Sequence, residues 1–577
     1  MRPHAAPAIA FRRLTRAAAL AGALAAGPAL AGAQSVLGAG PTAFVLPRGV
    51  VRVGALQSWT DYDETFGAFG VPGDSAVPLG SRLSSDALGV RELGGLAPVE
   101  RDLRTLTGQS GLALSLGRTV VSVSATSRTT ALDLEAGLGG GLSIAVLVPV
   151  VRTLAAVGIS TNAEGGEANV GLNPARYGQS AGTASAANAA VKLQFDQAAA
   201  RLRQQYGSCF APGGGAAPGC AEVVAFHAAA TGYATTLERV YGTASVTGGP
   251  VVPIVGSAAQ RGVEATVASF NARFAALFGT PGAAGPITGS PRGALPVTEP
   301  DLQTLLTDPT GQFAQDSLQS ISRITLGDVE VGLRLRLIDT FRGQESRRLA
   351  PTGLNVRATV AGTFRLGSGH LPSSANLVEV ATGDGQNDVE VAGFTDLLFG
   401  GRAWVALAAR YGRQLADEQA LRVPFAGSGS YLPAAALRTV DRDLGDYLVL
   451  EASPRFAVSR SFAVEAQYRL RRKQADRYAG TFAEVDSALG GVALDAALLG
   501  ADSEQQEQVL GAAATYSTFA AHARRRARFP LELSLGYRRV VAGRGAVPRA
   551  GTAQLQLRAF PRLFGADSRA PAPPRVR

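Results

Sequence analysis

The chain has 577 residues, 55 basic and 45 acidic, with a formal charge of +10 and only two cysteines. Mixed charge spread over that length lacks the concentrated basic stripe of a nucleic-acid-binding surface. Two cysteines cannot by themselves make a structural zinc site, which needs four ligands.

The first residues carry an export pattern. Arg2, Arg12, Arg13 and Arg16 form a basic start without an acid, Ala17 to Leu30 is apolar, and Ala31-Gly32-Ala33 offers small residues for cleavage before Gln34. The apolar run is shorter than the roughly 20 residues of a spanning helix. Residues 1–33 are therefore expected to be a signal peptide, and losing its four arginines leaves +6 on the mature chain.

From residue 34 onward the dominant signal has period two. Successive side chains of a strand point to opposite faces, so strict alternation defines two faces. In Gly327–Leu337, Val329, Val331, Leu333, Leu335 and Leu337 alternate with Asp328, Glu330, Gly332, Arg334 and Arg336. Leu354, Val356, Ala358, Val360 and Phe364 alternate with Asn355, Arg357, Thr359, Thr363 and Arg365. Phe462, Val464, Ala466, Tyr468 and Leu470 alternate with Glu465, Gln467, Arg469 and Arg471. Leu531, Leu533, Leu535 and Tyr537 alternate with Glu532, Ser534, Gly536 and Arg538.

These runs have the length of tilted membrane-crossing strands rather than the roughly five or six residues of soluble ones. Twelve strands are expected, near 49–61, 117–137, 141–157, 325–340, 352–366, 386–399, 403–415, 443–457, 460–474, 506–522, 529–542 and 551–564. A short extra strand at Leu112–Leu116 and a count of fourteen stay open. In lipid a sheet must close to satisfy its backbone, so the fold class is an all-β transmembrane barrel of antiparallel strands.

Residues 34–157 then form the first barrel strands and 325–564 the rest. Short connections at Leu138–Gly140, Gly400–Arg402 and Val458–Ser461 alternate with long ones at 62–116, 158–324, 367–385, 416–442 and 475–505, which sets the short turns in the periplasm and the long loops outside. Trp59, Tyr62, Phe399, Trp404, Tyr411, Phe456, Tyr537, Phe560 and Phe564 are expected in interfacial girdles. Residues 565–577, rich in Pro and Arg, read as a disordered tail.

Residues 158–324 change period. Val191, Phe195, Ala198, Leu202 and Tyr206, then Phe226, Ala230, Tyr233, Leu237 and Val240, then Val263, Val267, Phe270, Phe274 and Leu277 recur at helical spacing. A large helical insert on the cell surface is expected, with a Cys209–Cys220 disulfide at the tip of its first hairpin.

No pair among His4, His227, His370 and His522 has metal-ligand spacing, and no nucleophile elbow occurs. No catalytic residue, cofactor or metal is expected, and the chain does not read as an enzyme. Asp384, Asn387, Asp388 and Glu390 do not match a calcium loop. The candidate functional set is the charged face: Asp328, Glu330, Arg334, Arg336, Arg357, Arg365, Asp388, Glu390, Glu465, Arg469, Arg471 and Arg538. A buried charge must be paired or wet, so this face is either an ion-pair filling or a polar conduit.

Three phrases, GDVEVGLRLRL at 327–337, GDGQNDVEV at 383–391 and GLGGGLSIAVLVPVV at 137–151, resemble the meta-pathway phenol-degradation-like outer-membrane family, grouped near the fatty-acid and aromatic-hydrocarbon transporters. The matching positions are Gly327, Asp328, Glu330, Pro149 and Val151. The resemblance implies an outer-membrane barrel, lipid as its surroundings and small hydrophobic solutes as its cargo. It covers the strands and none of the insert. The stretch between the cleavage point and the first strand is too short for the N-terminal plug of the fatty-acid transporters. Two readings follow: a passive channel or transporter, or a plugged structural barrel displaying its insert.

Overall fold

The computed structural model describes the chain except residues 1–41, 68–75, 164–166, 214, 216, 283–284, 341–352, 400–401, 483–491 and 563–577. The expected signal peptide, tail and Phe564 lie outside the described residues.

Twelve antiparallel staves close into a barrel. They are β1 (Val51–Tyr62), β2 (Thr119–Gly139), β3 (Leu142–Thr161), a fourth stave in two pieces, β4 (Ile321–Leu326) and β5 (Val329–Asp339), then β6 (Leu354–Leu366), β7 (Asp388–Phe399), β8 (Ala403–Gln414), β9 (Tyr447–Ala457), β10 (Phe462–Lys473), β11 (Gln505–Ser517), β12 (Leu531–Arg544) and β13 (Gly551–Ala559). β1 closes the ring by pairing with β13, from Val53 opposite Ala559 to Asp61 opposite Gly551. β4 pairs with the far half of β3 and β5 with its near half, so Gly327 and Asp328 interrupt one continuous stave. Leu112–Leu116 forms no strand; its apolar residues are buried beneath the helices instead. The ring therefore closes at twelve.

The two faces separate as the alternation requires. On β5, Leu333 is 50% exposed and points outward while its neighbour Arg334 is 1% exposed and points inward. Every stave presents large apolar side chains outward, such as Val53, Leu132, Val391, Leu407, Leu450, Leu510, Leu535 and Leu557. That is the apolar band of a transmembrane barrel. Phe399, Tyr411, Phe456 and Tyr537 join it. Three expected girdle residues do not: Tyr62 packs inward against the cores of the long-loop end, Trp404 lies under Arg455, and Phe560 is buried against Phe519. Parity places Tyr62 and Trp404 on the lumen face, and position near a strand end does not override it.

The turn between β2 and β3 needs its glycines, since Gly139, Gly140 and Gly141 all have positive φ, at 104°, 64° and 88°. These two strands have 21 and 20 residues. At about 3.3 Å per residue they outrun a band of about 25 Å. Their far ends project beyond the other staves, and Val121, Val123 and Ala125 there are buried in the largest apolar core.

That core belongs to a cap at the long-loop end. It contains α1 (Ala97–Thr107), α2 (Ala181–Gln205), α3 (Cys220–Tyr241), α4 (Ala258–Leu277) and α5 (Glu299–Thr307). α2, α3 and α4 cover the three runs of helical spacing. Cys209 and Cys220 are bonded, with Cα atoms 5.1 Å apart, at the tip between α2 and α3. α1 arises in the loop before β2 and packs on α3 and α4. The Tyr233 hydroxyl donates to the Leu106 carbonyl at 3.2 Å, and Arg239 holds Asp102 at 2.6 and 2.7 Å. The 158–324 segment thus shares one core with loop 62–118 and with Leu377, Val378 and Tyr431 of later loops.

Candidate functional site: the lumen and its vestibule

The lumen wall is built by parity. Alternate residues of each stave must face inward, and where these are charged the neighbouring stave supplies the partner. Near the short-turn end, Arg52 bonds Asp133 at 2.9 Å and Glu135 at 3.0 Å, and the Ser143 hydroxyl donates to Glu135 at 2.6 Å. Gly54 stands opposite Asp133, where a Cβ would fall 1.8 Å from a carboxylate oxygen, so only glycine leaves room for this pair. Arg357 and Arg336 share Asp339 at 3.2 and 3.8 Å, and Arg455 pairs with Glu465.

Further along the lumen, Arg365 bridges Glu330 at 3.1 Å and Asp388 at 2.6 Å. It also donates to the Tyr447 hydroxyl at 3.2 Å, which donates to Glu390 at 3.1 Å. Arg410 meets Glu451 at 2.8 Å and Arg469 meets Glu507 at 2.9 Å. Such buried pairs offset their desolvation only when well bonded, so their worth to stability is small while the cost of breaking one is large.

Eleven of the twelve charged residues expected from sequence sit on the inward parity of their staves. Asp328 stands apart, at the break between β4 and β5, where its carboxylate accepts the Gly369 and Asp384 amides at 2.8 and 3.2 Å and anchors a loop. Sequence reasoning left out Arg52, Asp133, Glu135, Asp396, Arg410, Tyr447, Glu451 and Glu507. Period two in β1, β2, β7, β8, β9 and β11 marks their parity.

The short-turn half holds one feature that runs against expectation. The few residues ahead of β1 are enough to occupy the lumen. Arg334 donates to the carbonyls of Phe44, at 2.9 Å, and Thr42. Asp396 accepts the Ala43 amide at 3.0 Å and the Thr42 hydroxyl at 3.2 Å. The Thr359 hydroxyl donates to the Ala43 carbonyl at 2.6 Å, and Arg357 lies over the Phe44 ring. Ala43, Val45 and Leu46 are buried. A plug needs only enough chain to reach partners on the wall, and an extended segment gains about 3.3 Å per residue.

At the other end the loops enclose a vestibule of about 630 Å³. Its wall mixes apolar side chains, among them Leu377, Leu421, Phe425 and Leu498, with Glu92, Glu379 and Arg422. Glu379 is bonded by Arg323 and by His370 at 3.1 Å. Arg422 spends its donors on the carbonyls of Phe313, Leu432 and Ala314 at 2.5, 2.7 and 2.7 Å, and burial lowers its pKa. Gln505, the first residue of β11, also lines the vestibule and faces the lumen, where it accepts from Arg471 at 3.4 Å. The vestibule therefore ends on the polar layer of the barrel. A volume in this range suits a small organic molecule.

One seam of the wall is irregular. Between β9 and β10 the register runs from Ala452 opposite Tyr468 to Arg455 opposite Glu465, with no paired residues between. Pro454 falls in that gap and has no amide hydrogen to donate. An apolar recess lined by Phe399, Val405, Pro454, Phe456 and Val464 lies beside it.

A closed barrel with an apolar outer band and a charged interior belongs in the outer membrane, with lipid as its surroundings. No family model matches the chain, and no curated protein does. Among solved structures it is similar to an outer-membrane channel of the COG4313 group from Pseudomonas putida F1, at 8% identity and TM-score 0.35, covering 89% of this chain and 97% of that one. A Pseudomonas aeruginosa FadL homologue matches at 9% identity and TM-score 0.24, with 90% and 92% covered. The Pseudomonas putida toluene transporter TodX matches at 9% and 0.21, with 90% and 91% covered. Likeness at these levels carries no argument about function.

Proposed function

We propose that this protein is a passive outer-membrane conduit for small solutes with a hydrophobic body. The cap and its vestibule face the outside, and the filled lumen is its closed state. The observation that carries the reading is the vestibule of about 630 Å³ whose floor, at Gln505, is also the rim of the polar lumen. A purely structural barrel has no need of a cavity connected in that way. Its apolar wall suits the body of a solute, and its few polar groups suit orientation. By the alternation of connections, the staves within residues 34–157 and 325–564 form the membrane unit, and segment 158–324 with loop 62–118 is exposed outside.

A second reading, a plugged barrel that displays its cap, is favoured by the ion pairs and the residue 42–46 segment filling the lumen. The two differ in a whole-cell experiment. A hydrophobic fluorescent dye, N-phenylnaphthylamine, crosses an intact outer membrane slowly. Cells carrying the protein should take it up faster than cells without it, and Leu498→Trp, which fills the vestibule, should remove the gain. Equal rates in all three strains would support the plugged barrel.

A further inference from the structure

The lumen charges are not evenly paired. Around Glu507 stand three guanidinium groups, Arg469, Arg471 and Arg538, all of which act on its charge. Among the described residues Arg469 makes the one ion pair, at 2.9 Å, and its Nε and Nη1 are buried without a hydrogen-bond partner. Among the same residues Arg471 bonds only Gln505, at 3.4 Å, and it lies over the Tyr447 ring. Arg538 has no hydrogen bond or ion pair among the described residues. The next carboxylate, Glu451, is taken by Arg410 at 2.8 Å.

The register arranges these groups as steps. Arg471 is opposite Glu507, Arg469 opposite Val509 and Arg538 opposite Gly511. Two residues along a strand are about 7 Å, so the guanidinium groups descend from the vestibule floor at Gln505 into the barrel. Beside Arg538 lies a small recess lined by Gly536, Ala513, Ser534, Gln467, Gln554 and Gln556, whose hydroxyl and amides supply further donors.

We propose that Arg469, Arg471 and Arg538 form an anion-binding site in the lumen wall, for the carboxylate end of a small organic solute or for a free small anion. With Arg410 they make four fixed positive charges around two carboxylates, Glu507 and Glu451, an excess that a buried site must compensate. Guanidinium groups with unused donors match a carboxylate in charge and in planar geometry. The site specifies the polar end of the cargo of the proposed conduit and rests on that reading for its role, but binding is measured without any transport.

The test is calorimetric titration of the full-length protein in detergent, in a buffer whose only other anion is a bulky sulfonate. The probes are benzoate, formate and benzyl alcohol. Benzoate should bind at least about tenfold more tightly than uncharged benzyl alcohol. Formate weaker than benzoate assigns the site to the carboxylate of a larger solute, and formate equal to benzoate assigns it to a small anion. Arg538→Gln should weaken benzoate about tenfold and Arg538→Lys much less. Glu507→Gln removes the competing carboxylate and should tighten benzoate, a gain that misfolding cannot mimic. Equal affinity for benzoate and benzyl alcohol, or no tightening in Glu507→Gln, would overturn the site, whatever dye uptake shows.

Discussion

Arg334 is sealed in the lumen without a carboxylate ion pair among the described residues, and main-chain carbonyls, the Phe394 ring, 4.8 Å away, and the more distant Glu135 and Asp396 compensate its charge. Its neighbour Leu333 faces lipid. Adjacent positions on one strand therefore have opposite tolerances. Leu333→Arg should cost about 2–4 kcal/mol in the apolar band and cut the fraction of folded barrel, read as the band that shifts on heating in a denaturing gel. Arg334→Leu should leave that fraction near wild type while loosening residues 42–44. If Arg334→Leu blocks assembly and Leu333→Arg does not, the assignment of faces is wrong. Which face each residue takes was legible, because parity needs only local sequence. Which acid each arginine meets was not. Arg469 finds Glu507 and Arg365 finds Glu330 only through the register of neighbouring staves, and nothing local encodes that register.

The helices of the cap show the same divide among elements. α2, α3 and α4 follow from helical spacing. α1 has the same signals, with Pro98 at its start, Val99, Leu103 and Leu106 on one face, and Gly108 in the left-handed conformation at its end, but they are brief and lie inside the long connection 62–116. Its partners are α3 and α4, more than a hundred residues later, so the insert looked self-contained. The shared core alters what its removal should do. A Gly/Ser bridge in place of residues 167–319 would strip cover from Leu103, Leu106, Val121 and Val123. Exposed apolar area costs about 25 cal/mol per Å². The shortened protein should assemble in lower yield and bind a hydrophobic dye at its cap, and yield and dye binding equal to wild type would show that the cores are separable.

The cap also has an acid-sensitive clasp. Burial disfavours the Asp308 carboxylate, but hydrogen bonds from Thr310, Arg176 and Tyr177 outweigh it and hold its pKa at about 2, below the usual 3.8. A depressed acid pKa contributes stability that is complete above the unfolded value and is lost as pH falls through the folded one. Hydrogen-exchange protection near residues 173–178 and 308–312, taken relative to the intrinsic rate at each pH, should fall between about pH 4 and pH 2, and Asp308→Asn should show the low protection throughout. Wild-type protection that does not change across that window would contradict the clasp.

For the whole molecule, a closed barrel of twelve to fourteen strands and the helical insert were legible because lipid on one side and charge on the other force a simple repeat, and only the pairing of β1 with β13 fixes the count at twelve. The N-terminal segment was not legible. Thr42–Gly49 is short and has no period, and its partners Arg334, Thr359 and Asp396 lie about three hundred residues away. The same segment makes the central claim testable, since a conduit held shut by a tether should open when the tether is cut. The direct measurement is conductance in planar bilayers for wild type and for Arg334→Ala combined with Asp396→Ala, each confirmed as folded by its heat-shifted band. Wild type should conduct weakly, and the double variant should show clearly larger steps. Two folded proteins that stay equally silent would contradict the conduit and leave a plugged barrel.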